Sequence, residues 1–116
     1  MTPPPPGPVS RLACRYLNHD VEWTEERERH IAQRHPELLP AHLDLLRQTV
    51  ADPDEVRTDI DYPNTRLFFR WFPDLFGGKN VVVAVVSEEM PAPRHWVVTA
   101  FVARRPPKGE VEWRRP

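Results

Sequence analysis

Hydrophobic and polar positions in the second half of this chain follow the repeat of β-strands. Four runs rich in β-branched and aromatic residues are separated by segments containing proline, glycine or acidic residues: Glu55 to Ile60, Arg66 to Phe72, Asn80 to Ser87 and His95 to Ala103. The third run is apolar at every position from Val81 to Val86, which is typical of a central strand covered on both faces. Short connections without helices predict that successive strands pair antiparallel.

The first half of the chain carries two helical patterns. Thr24 is a suitable N-cap for the first helix, and Glu25 and Glu26 place negative charge where the helix dipole favours it. We predict a helix from about Glu25 to Arg34. It ends before Pro36 because the proline ring disfavours the α conformation at the residue before it.

A second helix is predicted to begin between Glu37 and Pro40 and to end near Ala51. Its large apolar residues recur at intervals of four, three and four, which makes one stripe for packing on the core: Leu39, Leu43, Leu46 and Val50. A short first strand is predicted earlier in the chain, because the inward-facing residues Leu12, Cys14 and Tyr16 alternate with outward-facing ones.

This order of elements predicts an α+β domain in which two N-terminal helices pack on one face of an antiparallel four-stranded sheet. Residues 1–10 are expected to form a disordered proline-rich tail, because consecutive prolines lack the amide donors that helices and sheets need. Residues 11–116 are long enough for one domain and too short for two. Residues 104–116 have the composition of a flexible basic tail, although Val111 and Trp113 offer an extra short edge strand.

The composition is that of an ordinary globular protein, with 40% hydrophobic and 28% charged residues. No apolar run approaches the roughly 18 residues that a membrane span needs, so no membrane partner is expected. Cys14 is the only cysteine, which excludes an internal disulfide and a cysteine-based zinc site. Because the start of the chain is unlike a signal peptide, we expect a cytoplasmic protein.

The net charge of −1 excludes a uniformly basic surface, but the charges are unevenly distributed. From Arg94 to Pro116 the net charge is +4, whereas acidic residues concentrate in the ranges 20–28 and 52–61. This asymmetry fits either a phosphate-binding side or a solvated charged tail.

The first predicted helix holds the candidate acid–base residue. Arg27, His30 and Arg34 are spaced by three and four residues and therefore share one stripe, with the apolar Ile31 beside them. Burial of Ile31 is expected to draw His30 towards the sheet, where an imidazole could accept or donate a proton. The alternative is a half-buried histidine with a purely structural hydrogen bond.

The Arg66 to Phe72 strand holds candidate phosphate ligands. Alternation places Arg66, Phe68, Arg70 and Phe72 on one face, and arginines beside aromatic rings are suited to phosphates and stacked bases. The alternative is an outer sheet face with solvated arginines. Lys79, after two glycines, is either a phosphate-contacting lysine or a turn residue, since the P-loop spacing is absent.

The last predicted strand carries a hydroxyl among apolar neighbours. Strict alternation puts His95, Val97, Thr99 and Phe101 on one face. Thr99 could donate a hydrogen bond to a phosphate oxygen, or it could be present because threonine favours strands.

Metal and covalent chemistries are poorly supported. His30 and His35 are five residues apart, which turns the second side chain away from the first on a helix, so no metal and no cofactor are expected. Covalent catalysis is not expected, because Ser10 lies in or beside the tail, Ser87 ends a strand, and Cys14 has no evident base nearby in sequence. A histidine with arginines and a hydroxyl suits metal-free RNA cleavage, in which the 2′-hydroxyl attacks the adjacent phosphorus.

Several segments, in this order along the chain, resemble the phage-associated nuclease families of the barnase, EndoU, colicin and RelE-like (BECR) fold. They are Trp23 to Glu37, Pro53 to Val56, the strand with Arg66, Val81 to Val86, and Val98 to Phe101. The resemblance covers roughly residues 20–113. It implies two helices on a four-stranded antiparallel sheet, a metal-independent endoribonuclease, and a role in toxin, phage or conflict systems.

Carried onto this chain, the resemblance places the helix histidine on His30 and the strand arginine on Arg66. It places the terminal hydroxyl on Thr99, with Arg34 and His35 following the helix histidine. We therefore expect His30, Arg66 and Thr99 to be catalytic, and the following residues to bind substrate: Arg34, His35, Arg70 and Lys79. The expected partners are RNA and an antitoxin or immunity protein. The alternative is a non-catalytic module that binds nucleic acid or protein.

Overall fold

The computed structural model describes residues 9–116, and within this range the chain forms seven strands and two helices. The strands are β1 (Val9–Leu12), β2 (Val21–Thr24), β3 (Glu55–Thr58), β4 (Thr65–Phe72), β5 (Lys79–Glu88), β6 (Arg94–Ala103) and β7 (Glu110–Arg114). The helices are α1 (Glu25–Arg34) and α2 (Leu43–Ala51). Most of the predicted proline-rich tail lies outside the described residues, but Val9 and Ser10, which were assigned to it, belong to β1.

The strands form one sheet in the order β1-β2-β6-β5-β4-β3-β7. Neighbouring strands pair antiparallel except β2 and β6, which are parallel and meet at the single pair Glu22↔Trp96. The predicted fold, two helices on a four-stranded antiparallel sheet, is therefore wrong. The four predicted strands are present as β3 to β6, but β1, β2 and β7 extend the sheet to seven strands and make it mixed.

The two helices differ in how well their sequence specifies them. Helix α1 has the predicted bounds because its start is capped locally: the Thr24 side chain accepts a hydrogen bond from the Arg27 amide at 3.2 Å. Helix α2 begins at Leu43, later than predicted, because residues 36–42 form turns. Three members of the predicted stripe lie on α2, with Leu46 and Val50 fully buried and Leu43 partly buried, whereas Leu39 is buried in the turns before the helix.

The two sheet faces are covered differently. One face, here called the covered face, packs against helix residues such as Ile31, Leu46 and Val50 through strand residues that include Phe68 and Val83. The opposite face, here called the open face, has a smaller apolar cluster made of strand residues only: Leu67, Phe69, Val82 and Ala84, with Val98, Phe101 and Ala103 at its margin.

A β-bulge at Val98 decides which face Thr99 occupies. Val97 pairs with Val85, Thr99 pairs with Ala84, and Val98 is left without a partner between them. Residues paired across strands point to the same side, so Thr99 lies on the open face with Ala84. The predicted strict alternation is wrong here: His95 lies with Val97 on the covered face, opposite to Thr99.

Candidate nucleic-acid site at the edge of β6

Helix α1 lies along the part of β6 that has no neighbouring strand. Beyond Trp96, strand β6 makes no pairing with β2. There Arg27 of α1 donates from Nη1 to the Val98 carbonyl at 3.5 Å. Just after the helix, the His35 ring lies 5.9 Å from the Phe101 ring. Helix α1 and the residue after it therefore contact this part of β6.

The faces of α1 show where its basic stripe lies. Ile31 is fully buried and Ala32 packs on the covered-face core. Helical geometry places Arg27, His30 and Arg34 on the other side of Ile31 from Ala32. Since α1 flanks β6, this stripe lies towards the open face. His30 and Arg34 are exposed, so Ile31 does not draw His30 into the interface as expected.

The basic stripe of α1 is not neutralised by the protein itself. Among the ion pairs of the described residues, none involves Arg27, His30 or Arg34. The Nε atom of Arg27 is buried without a hydrogen-bond partner in this part of the chain. Its guanidinium, which makes only the long bond to Val98, therefore retains donors for an anion.

A cleft of about 580 Å³ opens on the same face beside Thr99. Its lining includes Asp59, Tyr62, Asn64 and Val98 as well as Thr99. Tyr62 is 66% exposed, so its ring is available for stacking. Among the predicted site residues, Thr99 lines this cleft, whereas His30, Arg34 and His35 do not.

Arg70 and Lys79 lie away from this edge and are occupied. Arg70 is on the covered-face side of β4, where Nη1 donates to the Asp52 carbonyl at 3.1 Å and the guanidinium lies over the Phe72 ring. The Lys79 ammonium donates to the Phe76 carbonyl at 2.9 Å and thereby ties down the glycine turn. Neither side chain projects towards Thr99.

Arg66 is also on the covered-face side, where it belongs to a polar cluster here called the Arg66 network. Its Nε donates to Glu112 at 2.7 Å and its Nη1 donates to the Ser87 hydroxyl at 3.0 Å. Ser87 Oγ lies 2.7 Å from His95 Nδ1. The remaining members bind Glu112 through their hydroxyls: Tyr16 and Thr58.

A second β-bulge allows the Glu112 carboxylate to accept hydrogen bonds from Tyr16, Thr58 and Arg66. Val111 pairs with Arg57 and Trp113 pairs with Val56, which leaves Glu112 as the extra residue of β7. Burial opposes ionisation of Glu112, but hydrogen bonds from Tyr16 and Arg66 outweigh burial and lower the pKa of its carboxyl.

The pKa values of two other members of the network, Tyr16 and His95, are shifted as well. Burial, followed by the hydrogen bond to Glu112, raises the pKa of Tyr16 to about 12. Burial lowers the pKa of His95, with further contributions from the charges of His19 and Arg66. His95 is only 6% exposed, and the His19 ring lies 5.1 Å from it.

The Arg66 network borders a cleft of about 470 Å³ on which Arg66, Ser87 and Glu112 all lie. Sequence reasoning missed this cluster apart from Arg66, because its members are spread from Tyr16 to Glu112 along the chain. The one local signal, a serine eight residues before a histidine with a turn between them, is too common to be diagnostic.

Comparison with protein-family models, curated proteins and solved structures found no match to this chain. Within residues 9–116, no group of three or more histidine, cysteine or acidic side chains is arranged to hold a metal ion. No helix in the same range is long and apolar enough to cross a membrane. Function is therefore argued from the geometry of the site.

Proposed function

We propose that this protein is an endoribonuclease that cleaves RNA without a metal at the β6 edge of the open face. The observation that carries the proposal is the position of α1: it sets an unneutralised stripe of Arg27, His30 and Arg34 beside the strand from which Thr99 emerges. In this proposal these residues supply a proton-transfer group, phosphate ligands and a hydroxyl donor for one RNA phosphate.

Each residue has a role that its chemistry suits. The 2′-hydroxyl of RNA attacks the adjacent phosphorus, the bond from phosphorus to the 5′-oxygen of the next nucleotide breaks, and a 2′,3′-cyclic phosphate is left. His30, which is exposed, takes the proton of the 2′-hydroxyl and gives it to the leaving 5′-oxygen. Arg27 and Arg34 bind phosphate oxygens with their forked guanidinium donors, and the Thr99 hydroxyl donates to a third oxygen. Tyr62 offers a ring on which a base can stack.

Arg66 has no catalytic role in this proposal. Its charge is already compensated by Glu112, and it projects from the face opposite to Thr99. Arg27 takes the place that was expected of Arg66, because it is the half-buried arginine with unused donors beside β6.

The test is incubation of purified protein with total RNA in EDTA, with His30→Ala and His42→Ala compared. His42 is a suitable control because it lies before α2, with its ring 5.7 Å from Phe76. We expect cleavage by the wild type and His42→Ala, and a loss of about 100-fold or more in His30→Ala. Intact RNA in the wild-type reaction would overturn the proposal, and full activity of His30→Ala would overturn the site.

A second function, binding without cleavage, is favoured by an exposed aromatic ring on the open face. Trp71 is 46% exposed there, whereas Leu67, Phe69, Val82 and Ala84 beneath it are buried. An exposed ring suits a protein or a stacked nucleic acid. Salt-sensitive RNA binding with no products would identify this function, whereas salt-insensitive capture of a protein would exclude RNA as the main ligand.

A further inference from the structure

The hydroxyl of Ser87 is held by two groups with different hydrogen-bonding roles. A guanidinium can only donate, so Ser87 Oγ accepts from Arg66 Nη1 at 3.0 Å. The hydroxyl proton can point to the other partner, His95 Nδ1, at 2.7 Å when the imidazole carries its own proton on Nε2. This arrangement gives Ser87 a proton acceptor on one side and a positive charge that favours its alkoxide on the other.

His95 can accept that proton only as a neutral imidazole with a free lone pair on Nδ1. Burial and the positive charges of His19 and Arg66 disfavour its protonation, and they outweigh the opposing charges of Glu89 and Glu22. The ring is almost completely enclosed, and the His19 ring packs edge-on against it. The lowered pKa of His95 favours the neutral imidazole, which is the form that a general base needs.

Ser87 lines the 470 Å³ cleft, although only 9% of its surface is exposed, so a reagent would reach the hydroxyl from the side of this cleft. Three carboxylates line this cleft, those of Glu88, Glu89 and Glu112, against the single guanidinium of Arg66. The cleft thus favours cationic or neutral ligands over anionic ones. A polyanion such as RNA is not suited to it.

We propose that Ser87, with His95 as its base, is the nucleophile of a second catalytic site that cleaves small carboxylic esters, preferring cationic to anionic ones. Ser87 Oγ bonds to the ester carbonyl carbon as its proton passes to His95 Nδ1. The carbon–oxygen bond to the alcohol then breaks, and the alcohol leaves with that proton. Water, deprotonated by His95, cleaves the acyl-serine, which releases the carboxylic acid and restores the hydroxyl.

Arg66 is a positioning residue in this scheme. It holds the Ser87 hydroxyl towards His95 and is itself held by Glu112. The site lies on the covered-face side of the sheet, and the proposed RNA site lies at the edge of the open face. The two proposals are independent, so either can fail while the other stands.

The experiment uses the full chain with p-nitrophenyl acetate, followed by release of nitrophenol and by peptide mass spectrometry. The chain has two serines, Ser10 and Ser87, and exposed Ser10 on β1 is an internal control. We expect an acetyl group on Ser87 and not on Ser10. A trimethylammonium-bearing ester is expected to react faster than a carboxylate-bearing one.

Two variants test the assignment of roles. Ser87→Ala should lose the adduct, and His95→Gln should acylate about 100-fold or more slowly while remaining folded by circular dichroism. The wild-type rate should rise with pH through a midpoint below the usual histidine value. The proposal is overturned by an unmodified Ser87, by equal acetylation of Ser10, or by an unchanged rate in His95→Gln. If a variant does not fold, the adduct position in the wild-type protein still decides the matter.

Discussion

Arg66 and Thr99 project from opposite faces of the same sheet, although both were expected to contact one phosphate. Arg66 pairs with Val85, whereas its neighbour Leu67 pairs with Ala84, which in turn pairs with Thr99. Paired residues share a face, so Leu67, Ala84 and Thr99 form one row on the open face, and Arg66 lies on the other side. One phosphate group cannot be bound by both side chains.

This separation leads to a prediction about which arginine binds RNA. Arg27→Ala should lower RNA cleavage by about 100-fold, the usual cost of removing one donor to a developing oxyanion. Arg29→Ala is the matched control, because it removes the same charge from the exposed side of α1. Rates are compared at fixed salt. Equal losses in the two variants would indicate that only the overall charge of α1 matters.

Tyr16 should ionise only in strong base. Tyr62→Phe leaves Tyr16 as the sole tyrosine, so absorbance at 295 nm reports Tyr16 alone. The expected midpoint is a pKa of about 12, because burial and the bond to Glu112 both disfavour the phenolate. A pKa raised above the unfolded value means that stability is lost as pH rises from about 10 towards 12. Adding Glu112→Gln should lower the midpoint, and an unchanged midpoint would argue against that bond.

His95 should make the fold sensitive to mild acid. Its pKa is lowered in the folded state, so the unfolded chain takes up a proton first as pH falls. The contribution is fully present above the unfolded pKa of about 6.5 and is lost as pH falls through the folded value. The loss is at most about 1.4 kcal/mol per pH unit for one proton.

Urea unfolding at pH 7.5 and 5.5 measures this effect. The free energy of unfolding should fall more in the wild type than in His95→Gln, with His42→Gln behaving as the wild type. The carboxyl of Glu112, whose pKa is also lowered, acts at lower pH and does not interfere. The same loss in all three proteins would exclude His95 as the source.

Gly109 should be far less tolerant of substitution than Gly77. Gly109 has φ of +148°, and a Cβ there would overlap the Thr58 carbonyl oxygen, whereas a Cβ at Gly77, with φ of +77°, meets no atom within 4 Å. We expect Gly109→Ala to cost about 3 kcal/mol and Gly77→Ala about 1 kcal/mol. Thermal unfolding of both variants provides the comparison, and similar losses would show that steric overlap contributes little.

The elements that sequence reasoning placed correctly are those specified by neighbouring residues. Thr24 caps α1 through the Arg27 amide, and the stripe of α2 follows from its spacing. Strand β2 is short and gains its place by pairing with a distant strand, so local pattern was too weak to reveal it. Strand β7 was foreseen only as an optional edge strand at Val111 and Trp113, because residues 104–116 also have the composition of a basic tail. The predicted architecture lacked the parallel pairing of β2 with β6, which joins β1 and β2 to the sheet.

The site depends even more on long-range pairing. The bulge at Val98 moves Thr99 to the open face, and nothing in the local sequence distinguishes it from regular alternation. The bulge at Glu112 likewise directs that carboxylate to Tyr16 and Arg66. The basic stripe of α1 could be predicted from spacing alone, but its side relative to β6 could not.

The packing of α1 against β6 links the proposed RNA cleavage to the tendency of the protein to self-associate. Beyond Trp96, the backbone of β6 would otherwise present unsatisfied donors and acceptors on which a strand of another molecule could pair. The helix that carries His30 also covers that edge. In the proposed endoribonuclease, changes that loosen α1 should abolish cleavage and expose the edge of β6, so that the protein self-associates. Variants that are inactive but do not self-associate should then come from changes to side chains that leave the helix in place.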